Sequence, residues 1–521
     1  MALLPALFLF VSVFAQSEVT GIVYHDQNGN GKKERRERGL AGIAVSNGVD
    51  VVQTDEKGRY TLPVGDDNII FVIKPQGFRP PVNEFNQPQG YYIHKPVGSP
   101  DLIYAGSEPT GPLPKSLDFG LIQQDESDSF TALIFGDPQA YNMNEIEYFA
   151  QGIVKELEGI DNIAFGISLG DLVGDDLVLH NPYIQATSKI GIPWYNLMGN
   201  HDMNFDATTD SLSDETFEAN FGPANYSFNY GDAHFIVLDN ILYPDPRDGR
   251  GYWGGFRKDQ LDFVENNLRF VPKDKLIVLA FHIPLLHRNE NSFRNADRQR
   301  LFDLLKDYPN TLSMSAHTHL QRQNFYTKAD GWHQEKPHHE YNAGTTSGDW
   351  YSGEFNEQGV PTSTMRDGTP KGYAFLRIDG NQYKIDYQVA GESSDYQIQL
   401  FHPNVVARGR NTSAQIYANF FMGHPGNNVE YRIGDGKWNK MTHVEMADPS
   451  YVALHYRWDQ TEELFPGRRP SAAVNSTHIW RGSIPTNLPA GEHQIEVRAT
   501  DMFGRTFYTT SSYRLAPPAK R

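Results

Sequence analysis

The sequence predicts an α/β domain held between two all-β domains, and three observations point to it. Residues 130–389 alternate short apolar runs with stretches of helical periodicity, the pattern of a layered α/β sheet. Residues 17–122 hold brief strand-like runs punctuated by Gly, Asp and Asn, and after residue 397 the helical signals cease again. The chain has 521 residues, too many for one ordinary domain, so a division into several is expected on length alone.

Taken in order, residues 1–15 are apolar apart from Ser12 and end in Val13-Phe14-Ala15 before polar Gln16-Ser17-Glu18. Segment 1–16 therefore reads as a secretory signal peptide lacking the usual positive start, with a short membrane anchor as the other reading. The apolar run is shorter than the roughly 20 residues a spanning helix needs, which favours cleavage and a secreted or periplasmic protein. Residues 17–122 read as a small Ig-like β-sandwich built on 19–25, 42–45 and 58–64. Its loop from Asp26 through Asn28 and Asn30 to Glu37 fits a calcium-loop pattern, flanked by strands rather than the helices of an EF-hand. Calcium and a plain Asn/Gly turn both fit this loop. The module resembles the B-type repeats of secreted surface proteins, which carry such loops.

In the central domain, 128–392, strands are expected at 130–135, 163–169, 275–281 and 311–315, and helices at 144–158, 259–268 and 297–305. Hairpins are expected at 226–238, turned at Gly231-Asp232, and at 373–387, turned at Asp379-Gly380-Asn381. The last domain, 397–516, reads as a second β-sandwich, with a hairpin at 431–438 and an alternating strand at 491–499. Residues 516–521 read as a frayed tail.

Composition narrows the function. Lys plus Arg minus Asp plus Glu is 46 − 64 = −18, a balance that disfavours nucleic acid as a structural partner. Cysteine is absent, so any metal must be held by imidazole, carboxylate or amide oxygen. No stretch beyond the first could span a bilayer.

The chemistry gathers at five predicted strand ends: Gly136-Asp137-Pro138-Gln139, Gly170-Asp171, Gly199-Asn200-His201-Asp202, Phe281-His282-Ile283-Pro284 and Ala316-His317-Thr318-His319. A single His after a strand is most often a hydrogen-bonded core or surface residue. Five metal-capable ends in one α/β domain are the signature of a site at the sheet edge.

These motifs resemble, in order, spacing and strand context over residues 130–389, those of the calcineurin-like metallophosphoesterases, in particular secreted members with N- and C-terminal β modules. The resemblance implies a four-layer α/β/β/α sandwich and a phosphate-ester hydrolase, phosphomonoesterase or phosphodiesterase, with two divalent ions drawn from Mn, Fe, Zn and Mg. It places one ion among Asp137, Gln139, Asp171 and His319 and the second among Asp171, Asn200, His282 and His317. A hydroxide bridging the ions is the implied nucleophile, and His201 the implied acid for the leaving group. Oxygen and imidazole donors around a shared carboxylate suit such a pair.

Three departures stand out. Gln139 replaces a common His, Ala316 replaces Gly, and the carboxylate expected to orient His201 is missing at Gly174, leaving Asp175 or Asp176 to do it. Past the ligands, a stretch rich in Gly and aromatics (345–353 and 365–370) reads either as a pocket wall or as a surface loop. Trp350, Arg366 and His339 are the expected substrate contacts, with Arg322 a second arginine to consider. The rival class is a non-catalytic surface or glycan-binding protein with a retired phosphoesterase core, disfavoured because only Gln139 departs from the ligand set. The sequence leaves the oligomeric state open.

Overall fold

The structure is a computed structural model that describes residues 17–286 and 291–518, so the expected signal segment lies outside the described residues. Two sheets form the centre. One has five strands, ordered Trp194–Asn196, Phe165–Ser168, Ser129–Phe135, Gly372–Asp379, Gln382–Val389. The other has six, ordered Tyr226–Tyr230, Ala233–Val237, Leu276–Ala280, Thr311–Ser315, His338–Asn342, Arg322–Tyr326.

Strand alternation makes the layers. Ala132 and Ile134 face the core between the sheets, whereas Leu133 and Phe135 face the helices. In Leu276–Ala280, Val278 points inward and Ile277 and Leu279 outward. A period of two on a strand buried on both faces produces two cores from one run. Aromatic rings join the sheets: Tyr195 stacks on Phe228 with centroids 4.1 Å apart, and Phe228 on Phe235 at 4.8 Å. Helix Met143–Gly152 starts at Asn142, whose side chain accepts the N–H groups of Asn144 and Glu145, and it buries Ile146, Phe149 and Ala150. With His180–Ser188 on the same side and Lys258–Leu268 and Asn295–Leu305 on the other, the order is α/β/β/α, as expected. The expected helix 144–158 is shorter: it ends at Gly152 and passes into the 3₁₀ turn Val154–Leu157.

The strands Ser129–Phe135, Phe165–Ser168 and Trp194–Asn196 run parallel, as do Ala233–Val237, Leu276–Ala280, Thr311–Ser315 and His338–Asn342. Their carboxyl ends therefore share one edge, where a bridge between Gly136 and Thr345 ties the two sheets together.

Two pairs of smaller sheets flank this centre, four plus four strands on the N-terminal side and four plus five on the C-terminal side. The N-terminal module is clamped to the centre by Lys95, whose Nζ lies 2.7 Å from Glu215, 3.2 Å from Glu218 and 3.0 Å from Asp67. The C-terminal module shares its core with the space between the central sheets: Ile416, Phe420 and Trp480 belong to the same packed cluster as Met314 and Tyr341.

One expectation fails here. The C-terminal domain contains a helix, Pro449–Asp459, where helical signals were read as absent. Asp448 caps it by accepting the Tyr451 N–H, and Pro449 opens it, a start signal of standard form. It escaped detection because it buries only Tyr451 and so has almost no apolar period.

Candidate metal centre and substrate cavity

The five strand ends converge. Asp171, His282 and His317 bring their ligating atoms within 4.8 Å of one another. His282 Nε2 lies 3.2 Å from Asp171 Oδ2 and 3.1 Å from the Asn200 side-chain oxygen, and His319 Nε2 lies 3.6 Å from Asp137 Oδ1. The backbone draws these loops tight: Gln139 N–H donates to the Asp171 carbonyl at 2.8 Å, and His317 N–H donates to the Asp137 carboxylate at 3.1 Å.

Asp137, Gln139, Asp171, His317 and His319 all have positive φ, between 33° and 66°. Left-handed backbone costs a residue other than glycine about 1–2 kcal/mol, and such strain concentrates at functional sites. Gly199 answers a different need. A Cβ there would meet the Asp171 nitrogen at 2.0 Å and its Oδ1 at 2.2 Å, so only glycine lets the Asn200 turn close on Asp171.

The donor set fits cations. His282 Nδ1 donates to the Leu169 carbonyl at 2.8 Å and His319 Nδ1 to the Gly348 carbonyl at 3.0 Å, which leaves each Nε2 lone pair turned into the site. The Gln139 Oε1 is buried and has no hydrogen-bond partner among the described residues. Burial pushes the Asp137 carboxyl well above the ordinary range, with His282 pulling against it and Asp171 adding to it. Burial acts in the same sense on Asp171, but His282 and His201 outweigh it and hold that carboxyl below the ordinary range. An imbalance of buried carboxylate and an orphaned carbonyl oxygen is what a bound divalent ion relieves.

His201 sits at the rim. Its N–H donates to Asp171 Oδ1 at 2.8 Å, and its ring Nδ1 donates to Asp175 Oδ1 at 2.6 Å. Burial would lower its pKa, but Asp171 and the bonded Asp175 carry it up to about 9. The adjacent Asp202 faces inward, accepting N–H groups from Leu172, Val173 and Gly199 and meeting His180 Nε2 at 3.2 Å, so it braces the loop. Asp176 instead caps a 3₁₀ turn, accepting the Val178 N–H.

Family models match at three places. The model for calcineurin-like phosphoesterase covers residues 130–321, with the N-terminal model of the same family at 27–102 and the C-terminal one at 340–507. The chain belongs to the calcineurin-like phosphoesterases. It is a metal-dependent hydrolase of phosphate esters. No curated protein matches the chain. Among solved structures, a purple acid phosphatase from yellow lupin (Lupinus luteus) seeds is similar at 13% identity over 67% of each chain, TM-score 0.37. GAP50, the anchor in the inner membrane complex of Plasmodium, is similar at 16% identity over 51% of this chain and 85% of its own, TM-score 0.32.

In this calcineurin-like phosphoesterase a cavity of about 510 Å³ opens over the cluster, lined by Gln139, Asp171, Asn200, His201, His317 and His319. Trp350 and Arg366 form one wall. The Trp350 ring stacks on His319 at 4.2 Å, and the Arg366 guanidinium lies 5.5 Å from the Trp350 centroid. A further part of the lining was not foreseen: Arg247, Tyr252 and Trp253 line the cavity too, with the Arg247 guanidinium 4.1 Å over the Trp253 ring. Its signal was present, since 243–255 is another stretch of Gly, Pro and aromatic residues between strands.

The structure does not bring His339 to this cavity. It sits in His338–Asn342, 3% exposed, with Nδ1 against the Tyr383 hydroxyl at 2.8 Å and Nε2 against Gln323 Oε1 at 2.7 Å. Its ring is stacked between Phe325 and Tyr383. Arg322, at the start of Arg322–Tyr326, does not line the cavity either. In the N-terminal module Asp26, Asn28, Asn30 and Glu37 share one loop, where Asp26 accepts the N–H groups of Asn30 and Gly31 and Glu37 those of Gln27 and Glu34. No helix among the described residues is long and apolar enough to cross a membrane.

Proposed function

We propose that the chain is a secreted hydrolase of phosphate esters that works with two divalent ions. Asp137, Gln139, Asp171 and His319 would hold one, and Asp171, Asn200, His282 and His317 the other. The observation that carries the two-ion reading is the unpartnered Gln139 oxygen. It belongs to a residue hydrogen-bonded to Asp171 through its backbone and lines the same cavity as Asp171, His317 and His319, so a second cation beside the cluster of Asp171, His282 and His317 would satisfy it. When bound, the ions neutralise charge on the phosphoryl group and acidify the attacking water.

The chain's own residues do the rest. Asp171 would share its carboxylate between the two ions. His201, held through Nδ1 by Asp175, keeps its other ring nitrogen for the cavity that it lines, and donates the proton that the departing alkoxide needs. Trp350 and Arg366 receive the body of the ester. The substrate is a phosphate monoester or a phosphate diester. Secretion is proposed from segment 1–16, and the division into 17–122, 128–392 and 397–516 follows the sheet pairs. Calcium for the 26–37 loop rests on its sequence pattern, and calorimetric titration of Asp26→Ala against the native chain tests it.

The test of the main reading combines metal analysis with rates on a panel of aryl phosphate monoesters and diesters. Two ions per chain and metal-dependent turnover are expected. A chain that takes up at most one ion, or hydrolyses no ester with any divalent metal, refutes it.

A further inference from the structure

The residues that form the Trp350–Arg366 wall come from the central domain, but several of their anchors do not. In the C-terminal module, Arg468 donates from Nη1 to the Trp350 carbonyl at 3.3 Å and accepts the Gly353 N–H at 2.7 Å through its own carbonyl. Ser471 N–H donates to Asp349 Oδ2 at 2.7 Å. Val474 N–H donates to the Arg366 carbonyl at 3.1 Å, and His478 Nε2 lies 3.3 Å from the Asp367 carboxylate. One run of eleven residues, 468–478, thus reaches both halves of the wall.

The network behind Arg366 is buried and directional. Asn419 donates from its amide nitrogen to the Asp367 carbonyl at 3.2 Å and to Asp448 Oδ2 at 2.9 Å. Its oxygen must then accept, so His478 Nδ1, 2.6 Å away, is a donor. His478 Nε2 faces a carboxylate that also accepts the Gln321 N–H at 2.9 Å, so it donates as well. His478 is 0% and Asp367 1% exposed. Gly368 has φ +86° and packs so closely that an added Cβ would meet Asp448 Cβ at 2.5 Å, which fixes the strap on the module from its other side. Arg366 has no ion pair among the described residues, and its Nε is buried without a hydrogen-bond partner. Among the described residues the Trp350 ring lies beside the guanidinium, while the module holds the Arg366 backbone through Val474 and the adjacent Asp367 through His478.

We infer that the C-terminal module is a working part of the active site, and that His478 is a positioning residue which sets substrate affinity by holding Arg366 through Asp367. This rests on the reading that Arg366 meets the phosphate ester. His478 touches no substrate and no ion, so its loss acts on binding and leaves chemistry alone. An interaction of this kind moves KM and leaves kcat in place.

The test is a double-mutant cycle on the metal-loaded full chain with an aryl phosphate, using His478→Ala, Arg366→Ala and the pair. His478→Ala is expected to raise KM about tenfold with kcat within about twofold, as for lost uniform binding. In the Arg366→Ala background it should leave KM unchanged. His478→Gln, which can still donate to Asp367, should recover part of the affinity, and it also serves where the alanine variant does not fold. Metal content should equal that of the native chain throughout. An unchanged KM in His478→Ala, or an equal rise with and without Arg366, overturns the inference. If Arg366→Ala itself leaves KM unmoved, the assignment of Arg366 to the substrate fails instead, a different result in a different variant.

Discussion

Replacing Gln139 by methionine should change stability in opposite directions with and without metal. The Gln139 oxygen is buried with no hydrogen-bond partner among the described residues, and its amide nitrogen has one long contact, 3.4 Å to the Tyr141 hydroxyl. An unsatisfied buried acceptor costs about 1–3 kcal/mol. Methionine keeps the length and removes the oxygen, with a repacking cost below about 1.5 kcal/mol. The stripped variant should therefore be as stable as the stripped native chain or more stable by about 1 kcal/mol. With metal the order reverses. At free metal one hundred times its dissociation constant, an ion stabilises the fold by about 2.7 kcal/mol, and a tenfold weaker site forfeits about 1.4 of that. Thermal unfolding of chelated and reloaded protein, beside calorimetric metal titration, reads both signs. The titration should also show two unequal steps in the native chain, because an amide oxygen is a poorer donor than imidazole for zinc and later metals. A variant destabilised in both states with an unaltered titration would make Gln139 an ordinary core side chain.

Three further outcomes follow from the geometry. His201→Ala should keep its metals and lose about 10²–10⁴ in rate on esters with poor leaving groups, and much less on nitrophenyl esters; equal losses on both would remove His201 from the acid role. Asp171→Asn should weaken both ions together, and an elemental analysis showing one site intact would end the shared-carboxylate reading. Asp214, buried near the N-terminal module, is pushed up to about 6 by burial, with Arg257 and Lys95 pulling it back and Glu215 and Asp210 adding to the rise. A raised folded-state carboxyl contributes stability below about pH 4 that is lost as pH climbs through 6, at most about 3 kcal/mol for a shift of this size. Asp214→Asn should gain on the native chain between pH 4 and 7.5 in urea unfolding, and a constant difference across that range would contradict it.

What the sequence disclosed and what it hid divide along physical lines. The convergence of Asp137, Asp171, Asn200, His282 and His317 was legible because each follows a buried strand, and parallel strands must deliver their carboxyl ends to one edge. The choice between Asp175 and Asp176 was not, since it turns on which side chain a short loop aims at His201 and which it spends on capping a turn. His339 misled because its neighbourhood in sequence is the wall loop, while strand alternation sends its ring to Phe325 and Tyr383. Helix Pro449–Asp459 had its caps but hardly any buried face, and periodicity reads only buried faces. The stretch holding Arg247, Tyr252 and Trp253 has no period, and its Gly, Pro and aromatic content marks a loop without saying that it lines the same cavity as Asp171 and His317.

The core that runs unbroken from between the central sheets into the C-terminal module bears on how such a protein can be reshuffled. A β module on a flexible linker is portable: it can be cut out, duplicated or grafted onto another enzyme, and both partners keep their folds. Here Phe420, Met422 and Trp480 complete apolar surface begun by Met314, Tyr341 and Tyr387. A graft would have to match that surface side chain by side chain. Excision would leave the hydrolase with an oily flank, prone to stick to its own copies. The central and C-terminal sandwiches, which look like separate parts, are for recombination one indivisible piece.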